Sequence, residues 1–209
     1  GYLSFSLSQA AFSNLGGKAP LNSYTGASDF LITKLGSDGD FKWYTFFGTA
    51  VDDWTQDFVA TADGGGLGVG YTTAQVPNFN SITPIFTGGA GSYGILGKFA
   101  GNGALEWWTY VGGGGLQLSG AAATSDGGFV IIGFSTAGFS NTSCLAPLNA
   151  HPGAGNLEDI FIAKLSSSGN TQWCTFLGGT ANDYGVNIRQ ASDGSYFFTA
   201  HIDANTGNI

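Results

Sequence analysis

Side chains able to do more than pack are few in this chain, and they are scattered. Asp52-Asp53-Trp54 and Asn182-Asp183-Tyr184 gather oxygens in two loops that the spacing makes equivalent. Calcium takes six to eight oxygen ligands, so two or three side chains per loop fall short unless carbonyls and a neighbouring segment contribute. Both loops are read as solvated turns or caps on the following strand. His151 and His201 are the only histidines, and they make no zinc spacing with cysteine or glutamate. Glu106 and Glu158 fall at different strand positions, so no carboxylate pair for glycoside hydrolysis is assigned. There is no Gly-x-Ser-x-Gly elbow, and the glycine runs at 88–91 and 112–115 lack the Lys-Ser/Thr and helix of a phosphate loop. The expectation is a protein with no catalytic residue, no metal and no cofactor, and not an enzyme.

Lys34, Lys98 and Lys164 stand inside apolar runs. A ring of charge is one reading. The other is a buried stem with its head paired to a carboxylate or carbonyl, and recurrence in every copy favours it. The tryptophans read as core anchors by the same logic. Cys144 and Cys174 form either one disulfide in an exported protein or two buried thiols. Asn141-Thr142-Ser143 matches a glycosylation acceptor, a short pattern that also arises by chance.

These residues sit in an acidic, glycine-rich chain of 209 residues with net charge −8 and 36 glycines. Its 17 Phe, 8 Tyr and 5 Trp supply ample core, so the glycines punctuate structure and do not signal disorder. Six scattered basic residues cannot neutralise a phosphate backbone or dock on an anionic membrane, which argues against both partners. No apolar run is long enough for a membrane helix, so no insertion is expected. Gly1 opens inside what reads as a strand, so an export signal is expected to lie outside this sequence.

The organising feature is an internal repeat. Lys34, Lys98 and Lys164 lie 64 and 66 residues apart, and each is followed at fixed offsets by a glycine and a tryptophan (Trp43, Trp107, Trp173). Thr45, Thr109 and Thr175 keep the phase, as do Gly48, Gly112 and Gly178. The pairs Asp63-Gly64, Asp126-Gly127 and Asp193-Gly194 close each copy, and Pro20, Pro84 and Pro147 mark another shared point. Within a copy, four short apolar runs separated by turns read as strands. In the first copy they are Asp29–Leu35, Trp43–Phe47, Asp57–Ala62 and Leu67–Thr72. The corresponding runs are Tyr93–Phe99, Trp107–Val111, Leu118–Thr124 and Phe129–Phe134, then Asp159–Leu165, Trp173–Leu177, Val186–Ala191 and Tyr196–His201. Alternation puts large apolar groups on both faces of Trp43–Phe47, as in a sheet packed between two neighbours. The fold class is therefore all-β: four-stranded antiparallel β-propeller blades of about 65 residues. A solenoid coil would repeat at less than half that period. The repeats run approximately 29–92, 93–158 and 159–209, with 1–28 the end of a preceding one, as a single partial propeller domain.

Asp-x-Phe-Ile-x-Lys-Leu, a glycine turn, Trp-x-Thr-Phe-x-Gly-Gly, Asp-Tyr-Gly and Ser-Asp-Gly, best seen over 158–200, resemble the SBBP repeat, a β-propeller repeat of secreted and surface bacterial proteins. The second copy departs, with Ser92-Tyr93-Gly94 at its start and Gly113–Leu116 in place of the acidic loop. The resemblance implies a propeller, export and a surface or extracellular role, and it offers no catalytic residues to carry over. By analogy with related propellers, the strand before each Asp-Gly is the innermost, and the chain reads B-C-D, A-B-C-D, A-B-C-D, A-B. Three repeats do not close a ring, so the chain is expected to belong to a larger or oligomeric propeller. Its expected function is structural assembly, adhesion or protein interaction, through edge strands and long loops. Phe12, Phe79, Phe86, Phe139 and Leu145 are the candidate partner-binding residues. The alternative is a carbohydrate-binding or carbohydrate-processing propeller, suggested by the many aromatics.

Overall fold

The computed structural model describes residues 2–9, 11–87, 91–139, 143–152 and 156–203. Among them the chain is all-β, with thirteen strands in four antiparallel sheets, none closed on itself. The first sheet holds β1 (Tyr2–Ser8), β2 (Asp29–Leu35) and β3 (Phe41–Phe47). The second runs in sequence order through β4 (Asp53–Ala60), β5 (Gly66–Thr72), β6 (Tyr93–Phe99) and β7 (Leu105–Val111). The third repeats that meander as β8 (Leu116–Ala123), β9 (Phe129–Ser135), β10 (Asp159–Leu165) and β11 (Thr171–Leu177). The last is the pair β12 (Asp183–Gln190) and β13 (Tyr196–Ile202).

The Asp-Gly pairs close the β4–β5, β8–β9 and β12–β13 hairpins. Gly64, Gly127 and Gly194 adopt φ of 78°, 80° and 89°, which a side chain disfavours. Two irregularities recur from sheet to sheet. Gln56, Ser119 and Val186 are skipped in the pairing of β4, β8 and β12, so each of these strands carries a bulge at the same place. Lys42, Glu106 and Gln172 are likewise skipped in β3, β7 and β11.

Sheets stack face to face in chain order, and each junction has its own apolar layer. Phe30, Ile32, Trp43 and Phe47 meet Ile95, Phe99, Leu105 and Trp108 at the first junction. Leu67, Val69, Leu96 and Val111 meet Leu118, Phe129, Ile131 and Phe161 at the second. Val130, Ile132, Ile160 and Ile162 meet Ile188 at the third, with Phe198 and Ile202 packed on them. The first strands of successive sheets run side by side, β4 against β8 and β8 against β12. β8 is built largely of small residues, which permits this approach. Its edge is satisfied from both neighbours: Ala121 donates its N–H to Asp57 Oδ2 (3.1 Å), and Arg189 Nη1 donates to the Ala121 carbonyl (3.0 Å). The lone arginine thus seals a strand edge.

Candidate functional site

Lys98 and Lys164 are buried, Lys34 is half-buried, and the head of each is paired. Lys98 Nζ binds Asp63 Oδ2 at 2.8 Å and Glu106 Oε2 at 3.1 Å, and it donates to the Phe99 carbonyl. Lys164 Nζ binds Asp126 at 2.9 Å and the Leu165 carbonyl at 3.0 Å. Each therefore ties its strand to the Asp-Gly hairpin of the same sheet. Lys34 instead donates to the carbonyls of Gly64 and Gly101 in the second sheet, at 2.7 and 2.8 Å. The hydrogen bond from Lys98 holds the Asp63 carboxyl well below the usual carboxylate range, and Thr124 together with Lys164 does the same for Asp126. A carboxylate whose pKa falls on folding stabilises above its unfolded value, and that contribution is lost as pH drops towards the folded one. Thermal unfolding is therefore expected to shift to lower temperature below about pH 4, where an unfolded carboxylate titrates. Lys164→Met should flatten that acid limb; an unchanged limb would mean that the pair does not form.

A cleft between the second and third sheets, about 540 Å³ in volume, is lined by Asp63, Lys98, Glu106, Ser125 and Phe129. Both of its carboxylates bind the same ammonium.

The long connections cover the outer strands. Leu21, Ile85 and Leu148, each directly after a proline, donate backbone N–H groups to the carbonyls of Tyr44, Trp108 and Cys174 at 2.9–3.0 Å. One residue further on, the carbonyls of Asn22, Phe86 and Asn149 accept from Phe46, Tyr110 and Phe176. The outer edges of β3, β7 and β11 are thus each paired by a connection of their own sheet. A disulfide between Cys144 and Cys174, with Cα atoms 5.9 Å apart, pins the third connection to β11. Asn141 and residues 88–90 of the first glycine run lie outside the described residues.

The five candidate partner residues divide along this geometry. Phe79 is buried against Phe47, and Phe139 packs half-buried on Phe161 and Phe176. Phe12 stacks on Tyr44 and meets Phe46 edge-on, so one face of β3 is covered by the chain's own connection. Phe86 is half-buried on the edge of β7. Leu145 is 73% exposed, and Leu148 beside it 70%.

One arrangement was not visible in the sequence. Asp29, Asp53, Asp159 and Asp183 begin β2, β4, β10 and β12 and are fully buried. They meet in two pairs. A Cβ on Gly48 would lie 2.6 Å from Asp53 Oδ2 and 2.8 Å from Asp29 Oδ1, and one on Gly178 would touch both Asp159 and Asp183. Asp53 accepts from the backbone N–H and the hydroxyl of Thr49, and Asp183 from the N–H of Gly179, so each does cap its turn. Asp29 Oδ2 accepts from the Thr25 N–H (2.7 Å) and hydroxyl (3.0 Å). Burial pushes the Asp29 carboxyl up and drives Asp53 to about 6, with Asp29 as a further charge against it. The second copy has Tyr93 and Leu116 at the two positions, so both acids are replaced together. Shared acidic strand starts in the first and third copies were the available signal. Among the described residues no three His, Cys, Asp or Glu side chains converge on one point, and no helix is long and apolar enough to cross a membrane. Comparison with protein-family models finds no match to this chain, and a search of curated proteins likewise finds none.

Proposed function

We propose that the chain is a run of β-propeller blades from an exported protein, a non-catalytic module serving structural assembly, adhesion or protein interaction. The observation that carries this reading is the side-by-side succession of β4, β8 and β12, each the first strand of its sheet and each bulged at the same residue. Sheets fanned about a common inner line diverge outwards, and the wedges this leaves correspond to where Phe79 and Phe139 pack. The disulfide fits an oxidising compartment outside the cytosol. The resemblance to SBBP repeats points the same way, and pairing of Asp63 and Glu106 with one lysine favours a non-catalytic role over a carbohydrate-processing one.

Interaction is supported at the far face of the last sheet. Phe197 of β13 is 70% exposed, whereas its counterparts Leu67 and Val130 are fully buried against the next sheet. Leu21 and Ile85 reach Gly103 and Gly169 in hairpins of the following sheet; Leu21 is 49% exposed and their counterpart Leu148 70%. On this reading a further sheet covers that face, and a second copy of this stretch of chain can supply it. Light scattering on a size-exclusion column should then give a small multiple of 21.4 kDa. Phe197→Asp should return the mass to that of one chain. A single-chain mass for the unaltered protein would sink self-association and leave the face to other partners.

A further inference from the structure

We propose that the Asp29–Asp53 pair is a binding site for one hard divalent cation of the calcium class. Two carboxylates from different sheets are buried around Gly48, and Asp29 Oδ1 accepts no hydrogen bond although it is fully enclosed. A buried anionic oxygen without a partner is costly, and two beside each other more so. In the third copy a basic side chain stands against one member of the pair: His151 Nε2 lies 3.1 Å from Asp159 Oδ2. In the first copy Thr25 occupies the corresponding side of Asp29, and among the described residues no Lys, Arg or His lies within ion-pair distance of Asp29 or Asp53. The second copy removes both acids at once, which marks them as acting together.

The oxygens suit calcium. Asp29 Oδ1 and the Val51 carbonyl lie 2.8 and 2.6 Å from the point where a Cβ on Gly26 would sit, and the Thr49 carbonyl is closer still. Asp53 Oδ2 faces the same Asp29 oxygen across Gly48. Two carboxylate and two carbonyl oxygens thus crowd around Gly26 and Gly48. This is the mixed, irregular set that calcium accepts, whereas magnesium requires a near-ideal octahedron and keeps its water. From sequence the acidic loop reads as a turn or cap with no metal, because its own side chains are too few for calcium without carbonyls and a neighbouring segment; here both stand beside it. The inference stands apart from the propeller reading, since it rests on one pair of sheets.

The test uses the full chain stripped with EDTA at pH 7.5. Titration calorimetry with CaCl₂ should give one ion per chain, and the unfolding midpoint should rise with calcium and much less with equal MgCl₂. Asp29→Asn, which keeps an acceptor for the Thr25 N–H, should weaken calcium binding at least tenfold, while Asp183→Asn should leave it unchanged. No binding at millimolar calcium, or a midpoint identical in EDTA and CaCl₂, would overturn the proposal. So would undiminished binding by Asp29→Asn. The midpoint comparison on the unaltered chain decides the matter even if that variant fails to fold.

Discussion

Phe47→Ala is expected to destabilise the chain by about 4 kcal/mol, the range for removing a large aromatic from a packed core. Phe47 is fully buried at the centre of the first junction and meets Phe30, Phe79, Phe99 and Trp108 edge-on, with centroids 5.0–6.2 Å away. Those four rings come from two sheets and the β5–β6 connection, so no single shift can fill the hole. Phe47→Leu should cost only about 1 kcal/mol, because most of the volume stays. Urea unfolding of the three proteins checks this. A loss below about 1 kcal/mol for the alanine variant would show that the layer is not packed as described.

Breaking the Cys144–Cys174 disulfide is expected to cost about 3.5 kcal/mol. The two residues are 30 apart in sequence, and closing a loop of that size in the unfolded chain removes entropy of that order. Both sulfurs are buried, so replacement by serine would add a cost of its own. Cys144→Ala with Cys174→Ala is the cleaner comparison. Dithiothreitol should shift the urea midpoint of the unaltered protein and leave the double variant where it is. No shift on reduction would mean that the bridge is absent or carries no stability.

Much of the strand plan was legible because glycine, tryptophan and Asp-Gly recur in phase. The strands starting at Asp29, Tyr93 and Asp159 match the sequence reading end to end, and the succession of three, four, four and two strands is the one it gave. Strand starts failed where bulges interrupt alternation. β4, β8 and β12 begin several residues before the expected Asp57, Leu118 and Val186, because the skipped residues Gln56, Ser119 and Val186 break the two-residue period. β3, β7 and β11 begin two residues before their tryptophans for the same reason, the skipped residues being Lys42, Glu106 and Gln172.

The carboxylate pair was illegible for another cause. An aspartate at the head of a strand reads as solvated, and only the stacking of sheets brings Asp29 to Asp53 across 24 positions and encloses both. The disulfide was open in sequence because two cysteines carry no register of their own. The structure supplies it by laying the third connection along β11. Of the candidate partner residues, Phe79 and Phe139 look like exposed loop apolars until their connections are seen to turn inwards between sheets.

Among the described residues every hydrogen-bonded ladder joins strands that are neighbours in sequence, so none of these pairings waits for a distant part of the chain. Such local closure lowers the entropic barrier to forming each sheet. A chain emerging amino-terminus first can therefore complete one sheet before the next is made, each finished face serving as the template on which its successor condenses. Folding then proceeds as a travelling front, and the exposed apolar surface at any moment is about one face, which keeps the aggregation-prone interval short.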